Sequence, residues 1–175
     1  MKRSIAFIFV LLVFAACEKT KDLLTFEFDQ SSEFTVPAFP LVIDTTFTIS
    51  LNDVPTNSDK VFSDNGTSPD LVKDIKLAAM SLQVLSPSSQ DLSFLKSIAF
   101  YISATGLSEK LLASKNSVPD NVGQQLDMDV TAEPLDEYIK QDKINLRIEV
   151  AADKSLAQDT RLQADMTYSV TADPL

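Results

Sequence analysis

Apolar and polar residues alternate one by one from position 161 to position 172, and this pattern restricts the possible folds more than any other feature. The apolar set is Leu162, Ala164, Met166, Tyr168, Val170 and Ala172. Successive side chains of a strand point to opposite faces, whereas a helix would scatter these residues around its circumference. Similar runs stand at 24–28, 34–36, 47–51, 98–102, 126–130 and 144–150. The pattern predicts roughly eight strands, each with one dry and one wet face.

Glycine and proline separate these runs into strand-sized pieces. The only glycines are Gly66, Gly106 and Gly123, and eight prolines are spread along the chain. Short strands divided by such residues are typical of antiparallel sheets. We therefore predict an all-β fold, an antiparallel two-sheet β-sandwich of immunoglobulin-like architecture with one or two short helical turns.

Three segments depart from simple alternation. The stretch 70–84 changes phase near Ala78 and Ala79, which predicts a turn followed by a strand with a β-bulge. Residues 136–140 follow Pro134 and begin with acidic side chains, which predicts a short helix. The segment 52–69 is rich in Asn, Ser, Asp and Thr and is predicted to be a mobile loop.

The amino terminus has the layout of an export signal. Lys2 and Arg3 precede a nearly continuous apolar run at 5–14. A membrane-spanning helix needs about 20 apolar residues, so the run is too short to span and fits a signal peptide. We predict a signal peptide at 1–16, a modified Cys17 with a polar tether over 17–23, and a single β-sandwich domain over 24–175.

The sequence Val13-Phe14-Ala15-Ala16-Cys17 resembles the lipobox of bacterial lipoproteins, although Phe14 stands where that family usually has Leu. The resemblance implies cleavage between Ala16 and Cys17, with diacylglycerol and an N-acyl chain attached to Cys17 and no other cofactor. Each buried CH₂ contributes about 0.8 kcal/mol, so several acyl chains would anchor the protein to a membrane. The charged tether and the overall plan resemble small lipoproteins of Bacteroidota. This second likeness implies a place in the cell envelope at the outer membrane, in either leaflet.

The order of features from 75 to 175 also resembles the water-stress and hypersensitive-response β-sandwich, called late-embryogenesis-abundant-like. The points of likeness are the turn Ser86-Pro87-Ser88, the strand at 98–102, the turn at Val118-Pro119 and the paired final strands. The family's Asn-Pro-Asn turn is Ser-Pro-Ser here. The resemblance implies a β-sandwich and nothing about function.

Composition excludes several classes of activity. The chain has one cysteine, no histidine and no tryptophan. Without histidine there is no imidazole for acid–base chemistry. A single cysteine can form neither an internal disulfide nor a thiolate metal cage. Removal of Lys2 and Arg3 with the signal peptide leaves 13 basic against 25 acidic residues, a net charge of −12. Such an acidic surface repels phosphate backbones, so nucleic acid is not expected as a partner.

The remaining catalytic options are a carboxylate pair or a Ser-Lys dyad. Asp127 and Asp129 are two apart on a predicted strand, so both point to the solvent face, opposite to Leu126 and Met128. Asp136 and Glu137 lie at the start of the predicted helix, where negative charge is stabilising. Ser108 and Lys110 have no Ser-x-x-Lys context. We expect no catalytic residue and no enzyme activity.

A cation site is a second possibility. Asp59, Asp64, Asn65 and Asp70 crowd the predicted loop, and calcium takes oxygen ligands from such loops. The spacing does not match an EF-hand, and turn formation explains the same residues equally well. We expect no metal and keep these four as weak calcium candidates.

Glycan binding has little support from aromatic residues. Tyr101 is predicted to lie opposite Phe100 and Ile102, where it could contact a glycan or, more simply, pack under a loop. The chain lacks tryptophan, the usual aromatic platform of carbohydrate-binding modules.

These observations favour a lipid-anchored cell-envelope protein that acts as a non-enzymatic binding or assembly module. Its expected partners are the membrane, through the lipid anchor, and an envelope protein or glycan. Two alternatives stay open: a carboxylate-dependent glycan hydrolase, and a structural envelope spacer without a specific ligand.

Overall fold

The computed structural model describes residues 23–40 and 45–175. Strands make up most of this part of the chain. They are β1 (Leu24–Val36), β2 (Thr45–Pro55), β3 (Val72–Ser86), β4 (Leu95–Ala104), β5 (Leu107–Lys115), β6 (Gln125–Asp127), β7 (Asp129–Val130), β8 (Lys143–Ala152) and β9 (Thr160–Ala172). The helices are α1 (Ser58–Asp64) and α2 (Asp136–Ile139), and a 3₁₀ turn lies at Pro69–Leu71.

The strands form two sheets in which every described pairing is antiparallel. One sheet has four strands in the order β1-β9-β3-β6, and the other has five in the order β2-β8-β4-β5-β7. Each sheet buries its apolar face against the other, as expected for half-buried strands. The predicted all-β, two-sheet sandwich with short helical turns is confirmed.

The core lies between the sheets and is built from the inward positions of both. In the four-stranded sheet, Phe28 stacks on Tyr168 with ring centroids 5.1 Å apart. Across the two sheets, Phe34 meets Phe100 edge to face at 5.8 Å. The apolar set of β9 predicted from alternation is buried throughout. Such burial contributes roughly 25 cal/mol per Å² of apolar surface removed from water.

The sandwich has two different ends. At one end, which we call the helical end, lie α1, α2, the 3₁₀ turn, the starts of β1 and β3, and residues 173–175. Hydrogen bonds join these parts, since Lys140 Nζ donates to the Val72 carbonyl at 3.1 Å and the Asp173 amide donates to the Leu71 carbonyl at 2.9 Å. The opposite end, which we call the loop end, carries the connections 87–94, 116–124 and 153–159.

The two predicted strands at 24–28 and 34–36 are one continuous strand, β1. The even-numbered positions keep facing inward between them, where Gln30 is half-buried and Ser32 is buried. Polar residues at these two positions hide the alternation from the sequence. The register of β1 against β9 runs without a shift from Leu24 to Val36.

The prediction of a mobile loop over 52–69 was wrong. Residues 52–55 continue β2, and 58–64 form α1. Phe62 at 0% exposure anchors the helix in the core, and the Thr56 amide donates to the Asp142 carbonyl at 3.0 Å. Burial of one aromatic side chain overrides the turn-forming composition around it.

The predicted β-bulge is confirmed. The register of β3 against β9 shifts between Leu77 and Ala79, so Ala78 is the extra residue. Inward positions change from odd before the bulge, as at Ile75, to even after it, as at Met80. The short helix predicted at 136–140 is confirmed as α2.

The single strand predicted over 126–130 is instead divided between the sheets. β6 pairs with β3 in the four-stranded sheet, and β7 pairs with β5 in the five-stranded sheet. The chain crosses at Met128, whose amide donates to the Met80 carbonyl at 2.9 Å. Leu126 and Met128 are both buried, so their alternation does not reveal the crossing.

Candidate ligand-binding site

The outer face of the five-stranded sheet carries a group of interacting side chains, which we call the Arg147 cluster: Tyr101, Glu109, Arg147 and Glu149. Arg147 and Glu149 lie on β8, two residues apart and therefore on the same face. Tyr101 on β4 stands opposite Arg147 in the register. Glu109 comes from β5, on the other side of β4.

Arg147 holds both carboxylates. Its Nη2 and Nε donate to Oε1 and Oε2 of Glu109 at 2.6 and 2.7 Å, a bidentate pair, and its Nη1 donates to Glu149. Bidentate guanidinium–carboxylate pairing fixes the orientation of both groups. The Arg147 guanidinium also lies over the Tyr101 ring, 4.0 Å from its centroid.

Tyr101 completes the cluster. Its hydroxyl donates to Glu149 Oε2 at 3.3 Å, while the guanidinium covers one face of the ring. The Tyr101 ring, the Glu149 carboxylate and the Arg147 guanidinium are each held by two neighbours within the cluster. The Glu109 carboxylate is held by its bidentate pair with Arg147. The group is therefore ordered before any ligand arrives, which reduces the entropy cost of binding.

Hydrogen bonding sets the charge state of the cluster. The hydrogen bonds from Arg147 lower the pKa of the Glu109 carboxyl. The bonds to Glu109, and then those to Glu149, raise the pKa of Arg147. Both shifts favour the ionised forms. One guanidinium against two carboxylates leaves the cluster with one net negative charge.

A pocket adjoins the cluster, with a volume of about 230 Å³. We call it the Tyr101 pocket, and its lining residues are Thr46, Ser97, Ile98, Ala99, Tyr101, Asn116, Glu149 and Ala151. Ala99 and Ala151 lie on neighbouring strands and have short side chains, so the sheet surface is accessible between taller neighbours. The pocket belongs to the loop-end half of the sheet, since Ala151 lies one residue before the end of β8.

Three larger hollows lie elsewhere on the described surface. Two share Ala78 and Val130 along the β3 edge, with volumes of about 280 and 360 Å³, and a third of about 310 Å³ lies beside residues 56–60. None of these three is lined by an aromatic residue. The Tyr101 pocket is the better candidate because it joins an aromatic ring to a carboxylate held in place.

The predicted position of Tyr101 is confirmed, because Phe100 and Ile102 are fully buried on the opposite face. We predicted that a loop packs over Tyr101, and the group that lies over one face of the ring is the Arg147 guanidinium of β8. Sequence reasoning missed Arg147, Glu109 and Glu149. Their outward alternation was readable, but their convergence was not, because Glu109 and Arg147 are 38 positions apart.

The other candidate catalytic side chains lie outside the Arg147 cluster. Asp127 and Asp129 are both exposed, as predicted, and Lys115 Nζ donates to Asp129 at 3.0 Å. Asp136 and Glu137 lie in the first turn of α2. Ser108 and Lys110 do not form a dyad, since the Lys110 Nζ bonds to the Pro134 carbonyl at 3.0 Å.

The weak calcium candidates lie along α1 and the 3₁₀ turn. Asp64 pairs with Lys60, and the Asn65 amide donates to the Val61 carbonyl at 2.8 Å. Asp59 is in the first turn of α1, and Asp70 is in the 3₁₀ turn. Over residues 23–40 and 45–175, no three acidic or other ligating side chains are grouped closely enough to hold a metal ion.

The lipidation and cleavage residues, Cys17 and Ala16, lie outside the described residues. Within the part of the chain that is described, no helix has the length and apolar character needed to cross a membrane. Lipidation at Cys17, which the likeness to bacterial lipoproteins implies, stays a prediction.

Comparison with known proteins gives no family. No protein-family model matches the chain, and no curated protein matches it. Among solved structures, the chain is similar to turnip yellow mosaic virus (14% identity, TM-score 0.36, covering 88% of this chain and 96% of that one). It is also similar to the decameric BFDV capsid protein (9%, 0.37, 86% and 99%) and to the VP2 subviral particle of infectious bursal disease virus (15%, 0.34, 97% and 37%). At these low identities and TM-scores, the similarities carry no argument about what this chain does.

Proposed function

We propose that the protein is a lipid-anchored component of a bacterial cell envelope, at the outer membrane, and that it binds a ligand on the outer face of its five-stranded sheet. The observation that carries the binding proposal is the Arg147 cluster beside the Tyr101 pocket. Long charged side chains on an exposed sheet usually keep their rotamer freedom, and ordering them costs free energy. Here one guanidinium orders two carboxylates and a tyrosine next to a pocket.

Glu109 is suited to accept hydrogen bonds and not to act as the acid of a hydrolase. A glycoside hydrolase needs one carboxylic acid whose pKa is raised, so that it can protonate the leaving group. In the cluster, Arg147 lowers the pKa of Glu109 instead. Charge-assisted hydrogen bonds of this kind keep a carboxylate ionised as an acceptor and unsuited to donate a proton.

The position of the pocket suits a protein tethered at Cys17. The chain enters the sandwich at Leu24, at the helical end, where Leu24 and Val72 both pair with Ala172. From the start of β8 to Ala151 the distance is about 25 Å, at a rise of ~3.3 Å per residue. The pocket therefore lies in the half of the sheet farther from the tethered end, where an envelope partner can reach it.

The anchor is tested by metabolic labelling with a fatty acid. The native chain is expected to incorporate label, and the Cys17→Ser variant is expected to incorporate none and to remain unprocessed. Mass spectrometry of the mature amino terminus provides the second measurement. A mature product that begins at another residue, or that lacks acyl mass, would refute the anchor.

The binding face is tested by sedimentation of the purified protein with isolated envelope material. Arg147→Gln is expected to reduce the bound fraction, because it releases both carboxylates of the cluster. Lys143→Gln is the matched control, since it removes one positive charge from the same strand outside the pocket. Equal binding by both variants would exclude the Arg147 cluster, and binding to no envelope fraction would favour the structural spacer.

A further inference from the structure

We infer that the Tyr101 pocket takes one ring of a neutral saccharide. The inference rests on the proposed function, because it names the ligand class of the same face. Its grounds are the chemistry of the pocket wall, the arrangement around the Tyr101 ring, and the volume.

The wall offers both hydrogen-bond donors and acceptors. Thr46 and Ser97 contribute hydroxyls, Asn116 contributes an amide, and Glu149 contributes a carboxylate acceptor. Vicinal hydroxyls of a sugar ring donate and accept at once, so they match such a mixed set. Ala99 and Ala151 provide a small apolar area on which the C–H groups of a ring can lie.

The arrangement around Tyr101 argues against a cationic ligand. Ammonium recognition uses the open faces of aromatic rings. The Arg147 guanidinium already lies 4.0 Å from the Tyr101 ring centroid, so one of the two faces of the ring is occupied by a positive group and is closed to a ligand.

The charge of the pocket argues against an anionic ligand. The cluster has one net negative charge, and the lining includes Glu149 but no lysine or arginine. A phosphate, sulfate or uronate would meet this carboxylate without a positively charged partner, and like charges in contact are unfavourable.

The volume of the Tyr101 pocket limits the size of the ligand. About 230 Å³ is below the range of roughly 300 to 1,000 Å³ that is usual for pockets of drug-sized ligands. A single ring fits, while the rest of a longer glycan would extend over the sheet.

Tyrosine fluorescence provides a direct measurement, because the chain has no tryptophan. Tyr138 and Tyr168 are buried, at 2% and 0% exposure, so Tyr101 is the tyrosine at the surface. The mature protein, purified from cells that process it, is titrated with glucose, galactose, mannose and N-acetylglucosamine and with their neutral oligosaccharides. We expect a saturable change with at least one of them. No change with any of these sugars would overturn the inference.

Two variants locate the site. Ala99→Leu fills the pocket and is expected to weaken binding at least tenfold, roughly the effect of losing one good contact. Ala157→Leu is the control, because it makes the same change at an exposed position outside the pocket, and it is expected to change affinity less than about twofold. Asn116→Ala removes an exposed amide without affecting the core and is expected to weaken binding about fivefold. Unchanged affinity in both Ala99→Leu and Asn116→Ala would place the sugar elsewhere and overturn the inference.

Charged probes separate the ligand classes. Choline and glucuronate are titrated in parallel, and tighter binding of either one than of every neutral sugar would refute a neutral ligand. Envelope binding that depends on Arg147 but is not competed by neutral saccharides would leave the proposed function standing and refute the ligand class. Absence of both the envelope binding that depends on Arg147 and the binding of neutral sugars would refute the proposed function and the ligand class together.

Discussion

Tyr168 shows how a single side chain is committed to the core. Its ring is fully buried and stacks on Phe28, and its hydroxyl contacts Met166 Sδ at 3.5 Å. A thioether is a weak hydrogen-bond acceptor. Burial therefore raises the pKa of the Tyr168 hydroxyl, because the phenolate would lose its solvation.

The raised pKa predicts a loss of stability at alkaline pH. The folded state favours the protonated hydroxyl, so its contribution is complete below the unfolded pKa near 10 and is lost as pH rises toward the folded pKa. At pH 11 the loss is about 1.4 kcal/mol for this one group. Tyr168→Phe cannot ionise and is expected to lose that much less than the native chain between pH 7 and pH 11. Urea unfolding at pH 7 and pH 11 measures the free energy of unfolding of both proteins. An equal loss in the native chain and in Tyr168→Phe would contradict the assignment.

At the scale of the element, the bulge in β3 keeps two apolar sets in one core. Ile75 and Leu77 face inward before Ala78, and Met80, Leu82 and Val84 face inward after it. Deletion of Ala78 would remove the bulge and leave both apolar sets facing inward, because inward and outward residues would then alternate strictly along the strand. The bulge also interrupts the part of the β3 edge that β6 does not cover, as β6 pairs only with Ser81, Leu82 and Gln83. Interrupted edges resist pairing with other chains.

Deletion of Ala78 is therefore expected to give a folded protein that associates more readily. Its melting temperature should stay close to that of the native chain, and light scattering should detect larger species at high concentration. Deletion of Gln83 is the control, because it lies on the same strand and is also exposed. Without Gln83 the pattern beyond Leu82 turns outward, so this variant should be strongly destabilised. Equal stability of the two deletions would show that β3 can slip.

The whole molecule is a sandwich with helices at one end and loops at the other. The strand β1 spans about 40 Å at ~3.3 Å per residue, and a seven-residue tether over 17–23 reaches at most about 25 Å. An anchor at Cys17 would therefore keep the helical end nearer to the bilayer than the loop end. This expectation depends on the proposed anchor.

Fluorophores at the two ends test this orientation. Cys17 is the only cysteine in the chain, so acylation leaves an added cysteine as the one reactive thiol. A label at Asp59→Cys, on α1, is expected to be quenched more strongly by quencher-bearing lipids than a label at Asn121→Cys, in the loop-end connection. Both positions are exposed. Equal quenching, or the reverse order, would contradict the orientation.

The sequence by itself determined the features that depend on neighbouring residues. Alternation over two positions predicted the strands, the faces they bury and the outward direction of Tyr101, Asp127 and Asp129. The change of phase at Ala78 predicted the bulge, and Pro134 with the acidic residues after it predicted α2. Each of these signals lies within a few residues, because the directions of successive side chains follow from local backbone geometry.

The tertiary structure decided what depends on residues far apart in the chain. The crossing at Met128, the pairing of all of β1 with β9 and the burial of Phe62 each require a surface that another segment supplies. The Arg147 cluster belongs to the same class, because Tyr101, Glu109 and Glu149 come from three strands. No local pattern encodes such a meeting, since long-range pairing is selected by the packing of the complete core.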